Sequence, residues 1–501
     1  MTFHLVALLL AALALVHRGA DALAGAGGSA GRWRRGGAGL RLAATGKAGA
    51  GGSAKKSGAG GGDGSSTSSA PSSGPAVLGV EVKQVKGLQE GMKMRRLPNS
   101  DIVVSELCLG TMMFGEQVSK EDALAQLDAA TGEHGINFVD SAESYPSPAA
   151  PSTTGRSETI IGEWLRGGKG SGKASSSKRE SVVISTKVCG FSDQITWCRK
   201  DQTMGTRVNK KQVLEAVDAQ LARLGTDYID LLQINWPERY VPLFGASEYQ
   251  YELERGAQQG ATPIREQLEV MQELLQSGKI RAFGLSNETP YGVAAFQTTA
   301  DLLGLPRPVS VQNSYSLLVR NEFESGMQEA CSAANGNLGL LAYSPLAGGS
   351  LTGKYMNGVR SAPASSRLRK YTGFMHRFLS DPCSEAIREY AKMADSVSMP
   401  LAPLALAFVY SRPFVTSTII GATSLQQLED NVHALNVPIS PEVHRLIEGV
   451  YRRFVDPSRG AFEIIDPNLE YVDASKLPWG AKDQDVDPEL DALISQRLSK
   501  F

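Results

Sequence analysis

Four residues stand at or just past the ends of short apolar runs, and together they could move a proton. The run Ile136-Asn137-Phe138-Val139 leads into Asp140 and on to Tyr145. Val182-Val183-Ile184-Ser185-Thr186 leads into Lys187, and Ile229–Ile234 leads into Asn235 and Trp236. An unperturbed phenol has a pKa of about 10 and is a sluggish acid at neutral pH. A neighbouring ammonium stabilises the phenolate and so lowers that pKa. Lys187 can supply the charge, Asp140 can hold Lys187 through an ion pair, and Tyr145 then becomes a general acid. Such a group suits reduction of a carbonyl, in which hydride goes to carbon and a proton to oxygen. Taken singly, Tyr145 reads as a loop residue and Lys187 as a strand-end cation in water. Their joint position favours a site.

The elements that must hold them follow from periodicity. Met94–Leu97 and Ile102–Ser105 flank the turn Pro98-Asn99-Ser100-Asp101 and predict a hairpin. Apolar runs too short for helices follow at Leu107–Met112, Ile136–Val139, Val182–Lys187, Ile229–Ile234, Ile280–Leu285, Val309–Gln312, Leu338–Tyr343 and Ser417–Gly421. Between them lie segments of helical spacing, among them Lys120–His134, Thr159–Arg166, Asn209–Leu224, Pro263–Gln276, Pro290–Leu303, Glu322–Ala334, Ser384–Val397 and Leu425–Leu435. Pro263 and Pro290 suit first-turn positions. Alternating strands and helices predict an α/β fold with a parallel sheet. Eight repeats point to a closed (β/α)8 TIM barrel, an open doubly wound sheet being the alternative. Active sites of such barrels lie at the carboxyl ends of the strands, where Asp140, Tyr145, Lys187 and Asn235 fall.

Composition bounds the rest. The formal net charge of −1 gives no electrostatic reason to expect nucleic acid or an anionic membrane as partner. The five cysteines form no C-x-x-C pair, so zinc and thioredoxin-type sites are not indicated. Free thiols are the expectation, with a Cys189–Cys198 disulfide as a lesser alternative. Residues 1–24 read as signal-peptide-like. Leu5–Val16 is an unbroken apolar run, shorter than the roughly 20 residues of a membrane span, followed by a small-x-small sequence at Ala22-Leu23-Ala24. Residues 25–83 are basic, acid-poor until Asp63, and rich in Gly, Ala and Ser, the composition of a disordered transit or linker segment. Signal followed by transit predicts delivery to a plastid, with the endoplasmic reticulum or secretion as the alternative. No stable membrane span is expected in the mature form. The barrel is expected over residues 92–453, with a surface extension over 454–501. Gly167–Lys178 reads as a flexible surface insertion, and Asn235–Thr262 and Lys354–Pro382 as long, functional loops.

Several motifs together resemble the aldo-keto reductases, in particular the larger members that include microbial-type reductases and potassium-channel β subunits. They are Leu109-Gly110-Thr111-Met112, Gly135-x-Asn137-Phe138-x-Asp140, Gly278 to Asn287, Gln312-Asn313-x-Tyr315, Tyr343-Ser344-Pro345-Leu346 and Gly421-Ala422-Thr423. The resemblance implies a (β/α)8 barrel closed at its base by a hairpin and an NADP(H) cofactor bound without a Rossmann domain. It implies a catalytic set of Asp140, Tyr145 and Lys187, with Asn235 where the family usually has His. Thr111, Met112 and Asp140 match early cofactor contacts. Ser286, Asn287 and Gln312 match groups that bind the nicotinamide carboxamide, and Tyr343 matches the aromatic that stacks on its ring. Ser344, Leu346 and Gly348 fall in the diphosphate loop. Lys354 and Arg367 match cations near the adenine 2′-phosphate. Gly421, Thr423, Gln427, Asp430 and Asn431 match adenosine-side contacts.

The expected function is therefore NADPH-dependent reduction of an aldehyde or ketone, a small-molecule carbonyl substrate. Asn235 offers an amide donor but cannot titrate, so a slower or altered reductase is expected. None of the six histidines falls at a strand end, although His376 lies in a long loop that could approach. An NADP(H)-binding regulatory or scaffold protein with vestigial catalysis is the alternative, and reduction of a different bond a third reading.

Overall fold

The computed structural model describes residues 82–83, 92–167, 176–202, 204–246, 248–258 and 260–459. The leader, nearly all of the expected linker, the centre of the Gly167–Lys178 insertion and the extension after Arg459 lie outside them.

Two short antiparallel ladders precede the barrel. Strand β1 (Val82–Lys83) pairs with β2 (Met94–Arg96), so the last two residues assigned to the linker belong to a strand. β2 in turn pairs with β3 (Val103–Ser105) across the turn at Pro98–Asp101, which is the expected hairpin. Eight parallel strands then close on themselves: β4 (Leu107–Gly110), β5 (Phe138–Asp140), β6 (Val183–Val188), β7 (Ile229–Ile234), β8 (Ile280–Ser286), β9 (Ser310–Ser314), β10 (Gly339–Tyr343) and β11 (Val415–Ile420). Each pairs with its neighbours in chain order, and β11 returns to β4. The open-sheet alternative is thereby removed.

The hairpin has a physical task. Leu97, Ile102 and Val104 are fully buried and pack against the inward side chains Cys108, Phe138, Leu231 and Leu341 of the barrel. Each apolar side chain buried this way stabilises the fold by about 1.5–3 kcal/mol. This plug closes the amino-terminal end of the barrel, which leaves the carboxyl ends of the strands as the open mouth.

The helices of the wall start where their caps dictate. Asn209 accepts the Gln212 N–H at 2.9 Å ahead of Lys210–Leu224, and Thr289 accepts the Gly292 N–H ahead of Pro290–Leu303. The expected helix Lys120–His134 is α-helical only to Asp128 and continues as a wider turn over Ala129–Glu133. The expected Glu322–Ala334 helix breaks at Ser325 into Asn321–Glu324 and Gly326–Cys331. Several helices among the described residues were not anticipated, one of them Tyr251–Gln258 within the expected Asn235–Thr262 loop. Leu401–Tyr410 is apolar nearly all round and so shows no one-sided stripe, and Pro441–Tyr451 opens on a Pro behind the Ser440 cap. The described start of the expected extension packs against the chain at Arg320–Glu322. Asp456 is buried, and its carboxylate accepts the N–H groups of Arg320, Asn321 and Glu322. Cys189 and Cys198 are free thiols, so the disulfide alternative is not realised.

Candidate active site

A cleft of about 950 Å³ opens at the carboxyl ends of the strands. Tyr145, Asn235, Ser286, Asn287, Gln312 and Tyr343 line one part of it. Ser344, Leu346, Gly348, Lys354 and Arg367 line it too, as do Gly421, Thr423, Gln427, Asp430 and Asn431. Residues more than 280 positions apart in sequence thus face one space because they lie at the carboxyl ends of the strands or in the loops and helix starts that follow them.

Asp140 is the hub. It is the last residue of β5 and is 2% exposed. Its Oδ2 accepts the Lys187 ammonium at 2.6 Å. Its Oδ1 accepts Ser185 Oγ at 3.2 Å, Gln233 Nε2 at 3.3 Å and Gln312 Nε2 at 2.9 Å. Lys187 Nζ also donates to the Ser141 carbonyl at 2.6 Å, so this buried cation is fixed by two acceptors. It lies 5.0 Å from the Tyr145 ring centroid and does not itself line the cleft, whereas Asp140 and Tyr145 do. Burial works against the ammonium, but Asp140 and Tyr145 outweigh it and hold the Lys187 pKa above its ordinary value.

The net shift of Tyr145 runs opposite to the sequence expectation. Burial of the phenolate is the largest effect and raises the pKa, Lys187 pulls it down, and Asp140 adds a smaller upward push. The phenol therefore stays protonated throughout the neutral range. That is the form a proton donor needs, and the pull of Lys187 acts when charge develops on the oxygen.

Asn235 is set by its backbone. Its N–H donates to the Val188 carbonyl at 2.8 Å, and its carbonyl accepts Asn287 Nδ2 at 2.7 Å. The next residue, Trp236, donates its indole N–H to the Phe191 carbonyl at 2.7 Å and lies against Gly190, where a Cβ would come within 1.8 Å of the Trp236 carbonyl oxygen. Glycine is required at that crossing. Among the described residues the Asn235 side-chain amide has no hydrogen-bond partner, which leaves it available to the cleft. His376 does not line the cleft, whereas its neighbour Arg377 does.

Asn287 has a left-handed backbone (φ 54°), a conformation Asn tolerates. Its Oδ1 accepts the Tyr343 hydroxyl at 2.6 Å, and Tyr343 is pushed up to about 12, mainly by burial. Gln312 faces the cleft while its amide donates to Asp140, a link between strands that its sequence position did not reveal. Thr111 does not line the cleft. It is fully buried, and its hydroxyl is engaged by the Asp140 carbonyl at 2.9 Å and Ser157 Oγ at 2.7 Å. Its residue type suggested a ligand contact, but its direction makes it a brace behind β5. Met112 does face the cleft.

After β10 the chain forms a loop of tight turns. Gly348 and Gly349 adopt φ of 65° and 98°, and a Cβ on Gly349 would lie 3.0 Å from Lys354 Nζ. Lys354 and Arg367 sit on this loop and its continuation. Burial, and then Arg367, lower the Lys354 pKa. Burial likewise lowers Arg367, whose buried Nε has no partner among the described residues. Among the described residues neither has an acidic partner, and two cations so placed are arranged for an anion. The segment from 363 to 371 crosses to the turn after β4, where Gln117 donates to the Ser365 carbonyl at 2.6 Å and Tyr371 to Glu116 at 3.1 Å. Thr423 donates to Gln427 through its N–H and hydroxyl at the start of the last strand's helix, which Ser424 caps. A helix amino terminus there favours negative charge. Sequence reading missed Arg377, Phe244 and the cleft residues Ala402 and Leu406 of the unanticipated helix.

The family model for the aldo/keto reductases matches residues 106–452. The chain belongs to the aldo/keto reductase family and has the general character of an oxidoreductase. Its relatives include protein tas of Escherichia coli, 40% identical over 368 residues, which cover 73% of this chain and 100% of that protein. An aldo-keto reductase of Babesia bovis is 40% identical over 284 residues, 56% of this chain and 98% of that one. A probable voltage-gated potassium channel subunit beta of Arabidopsis thaliana is 28% identical over 351 residues, 69% and 92% of the two chains. Among the described residues no single helix is long and apolar enough to cross a membrane.

Proposed function

We propose that this protein reduces aldehyde or ketone carbonyls to alcohols with NADP(H), using Tyr145 as the proton donor. The observation that carries the reading is that Tyr145 and Asp140, with Lys187 buried against both, line the same cleft as Lys354 and Arg367, two cations with no acidic partner among the described residues. When bound, the reduced cofactor supplies hydride to the carbonyl carbon.

The chain's own groups do the rest. Tyr145 gives its proton to the carbonyl oxygen as negative charge builds there. Lys187 stabilises the phenolate left behind, and Asp140 with the Ser141 carbonyl keeps Lys187 in position. Asn235 donates its amide to the same oxygen. Loss of one such donor typically costs about 10²–10³-fold in rate, so an amide in place of an imidazole is the milder change. Ser286, Asn287 and Gln312 would hold the carboxamide, the Tyr343 ring would lie on the nicotinamide, and Lys354 with Arg367 would receive the 2′-phosphate. Because a phosphate there brings extra negative charge, this pair favours NADP over NAD. The purified protein should consume NADPH when given small aldehydes. Lack of turnover at high protein concentration, unchanged by Tyr145→Phe, would reject the reading.

Asn235 and the likeness to a potassium-channel β subunit motivate a second reading, an NADP(H)-binding regulator with weak catalysis. Tight cofactor binding without turnover of any aldehyde would support it. We also propose that the leader directs the protein to a plastid. A fluorescent fusion of residues 1–90 tests this, and signal in the endoplasmic reticulum or the medium would oppose it.

A further inference from the structure

Four arginines are less than a tenth exposed among the described residues. Three of them have a carboxylate in direct contact. Arg179 meets Asp230 at 2.7 Å, Arg199 meets Glu143 at 2.7 Å, and Arg320 meets Glu324 at 2.8 Å. This is the usual requirement, because an unpaired charge out of water is costly. The fourth, Arg377, is 4% exposed and has no carboxylate within ion-pair distance among the described residues. Its direct polar neighbours are neutral: Ser314 Oγ at 3.5 Å and the Tyr343 hydroxyl. Glu322 is influenced by it only through space.

Arg377 lines the cleft. Residues on either side of it pack on the diphosphate loop, for a Cβ on Gly348 would lie 3.2 Å from Met375 Sδ and 3.7 Å from the Phe378 ring. Across the mouth, Phe244 faces the guanidinium, whose Cζ is 5.8 Å from its ring centroid. Phe244 is half exposed and left-handed at φ 58°. A buried cation with only neutral partners, facing a cleft, is completed by an anion from outside the chain. We propose that Arg377 is a third anion-receiving group of the cleft, taking a phosphate or carboxylate oxygen of a bound molecule. With the cofactor reading above, on which this choice rests, the nearest source is the diphosphate of NADP(H). The other source is an acidic group on the carbonyl substrate.

The test titrates the purified full chain, R377Q and R377K with NADPH, inorganic pyrophosphate and 2′-AMP, which carries the 2′-phosphate but no diphosphate. A hydrogen bond to a charged group is typically worth about 1.5–3 kcal/mol, so R377Q should raise the Kd for NADPH and pyrophosphate roughly 10- to 100-fold. R377K should recover most of this, and 2′-AMP should be unaffected. A substrate source predicts unchanged NADPH affinity with a selective loss of kcat/KM for 4-carboxybenzaldehyde relative to benzaldehyde. Equal behaviour of R377Q and R377K in both arms would overturn the proposal, since a purely structural bond to Tyr343 predicts that. Binding of pyrophosphate but not NADPH by the wild type would remove the cofactor reading and leave Arg377 as an anion site. Should R377Q fail to fold, phenylglyoxal footprinting of the wild type replaces it. Protection of Arg377 by pyrophosphate or by 4-carboxybenzoate supports the proposal, and protection by neither overturns it.

Discussion

Replacing Lys187 with Met removes the charge that the proton transfer depends on, and the structure sets the size of the effect. At the 5.0 Å between the ammonium and the Tyr145 ring, a unit charge stabilises a full phenolate by about 3 kcal/mol at an effective dielectric of about 20. A proton only half transferred in the transition state feels roughly half of that, so kcat should fall by roughly 10- to 30-fold. The same change leaves the buried Asp140 carboxylate without its cation, and breaking such a pair typically costs about 3–5 kcal/mol of stability. The neutral donors Ser185, Gln233 and Gln312 remain on Asp140 and offset part of this. The assay is steady-state NADPH oxidation with an aldehyde, run well below a melting temperature measured in parallel, together with NADPH titration. The reasoning predicts a lower kcat, a lower Tm and NADPH affinity within about threefold of wild type. A folded K187M protein with wild-type kcat would refute the electrostatic role assigned to Lys187.

Other outcomes follow from the same geometry. Asn235→His should raise kcat by roughly tenfold or more, since general acid–base groups typically contribute about 10²–10⁴-fold and the backbone at 235 is already fixed by Val188 and Asn287. A fall in kcat with intact NADPH binding would show that the oxygen of the substrate does not approach position 235. The pH dependence of kcat follows from Tyr145, whose pKa lies above the ordinary value of about 10 because burial outweighs Lys187. The donor form is lost only as pH rises through that raised value, so kcat should be flat across the neutral range and decline on the alkaline side. A decline centred below pH 8 would contradict it. Arg367→Ala should weaken NADPH binding roughly 10- to 100-fold while leaving NADH nearly unchanged, as a charge-assisted bond to the 2′-phosphate requires. Equal losses for both cofactors in titrations would place Arg367 elsewhere.

Much of this arrangement was legible because a barrel repeats one simple rule. Ile229–Ile234 is a largely apolar run of strand length, and the strand spans the same residues. Asp140, Lys187 and Asn235 each follow or end such a run, so the fold carried them to one mouth without further information. What escaped depends on direction and on long-range contact. Thr111 and Met112 are adjacent just past the end of β4, yet one braces Asp140 and the other meets the cleft. The net shift of Tyr145 depends on how deeply the ring is buried, which no spacing states. Arg377 lies in a long loop with neither period nor motif, and it stands out only when the other buried arginines are seen to have acids. Helix Leu401–Tyr410 is covered on most sides, so it lacks the one-sided pattern that reveals a surface helix.

The most direct measurement is the NADPH-dependent turnover of an aldehyde by Tyr145→Phe beside its cofactor affinity. The account predicts a loss of roughly 10²-fold or more in kcat with NADPH binding within about threefold of wild type, because only the transferable proton is removed. Equal turnover by the Phe variant and the wild type would contradict it.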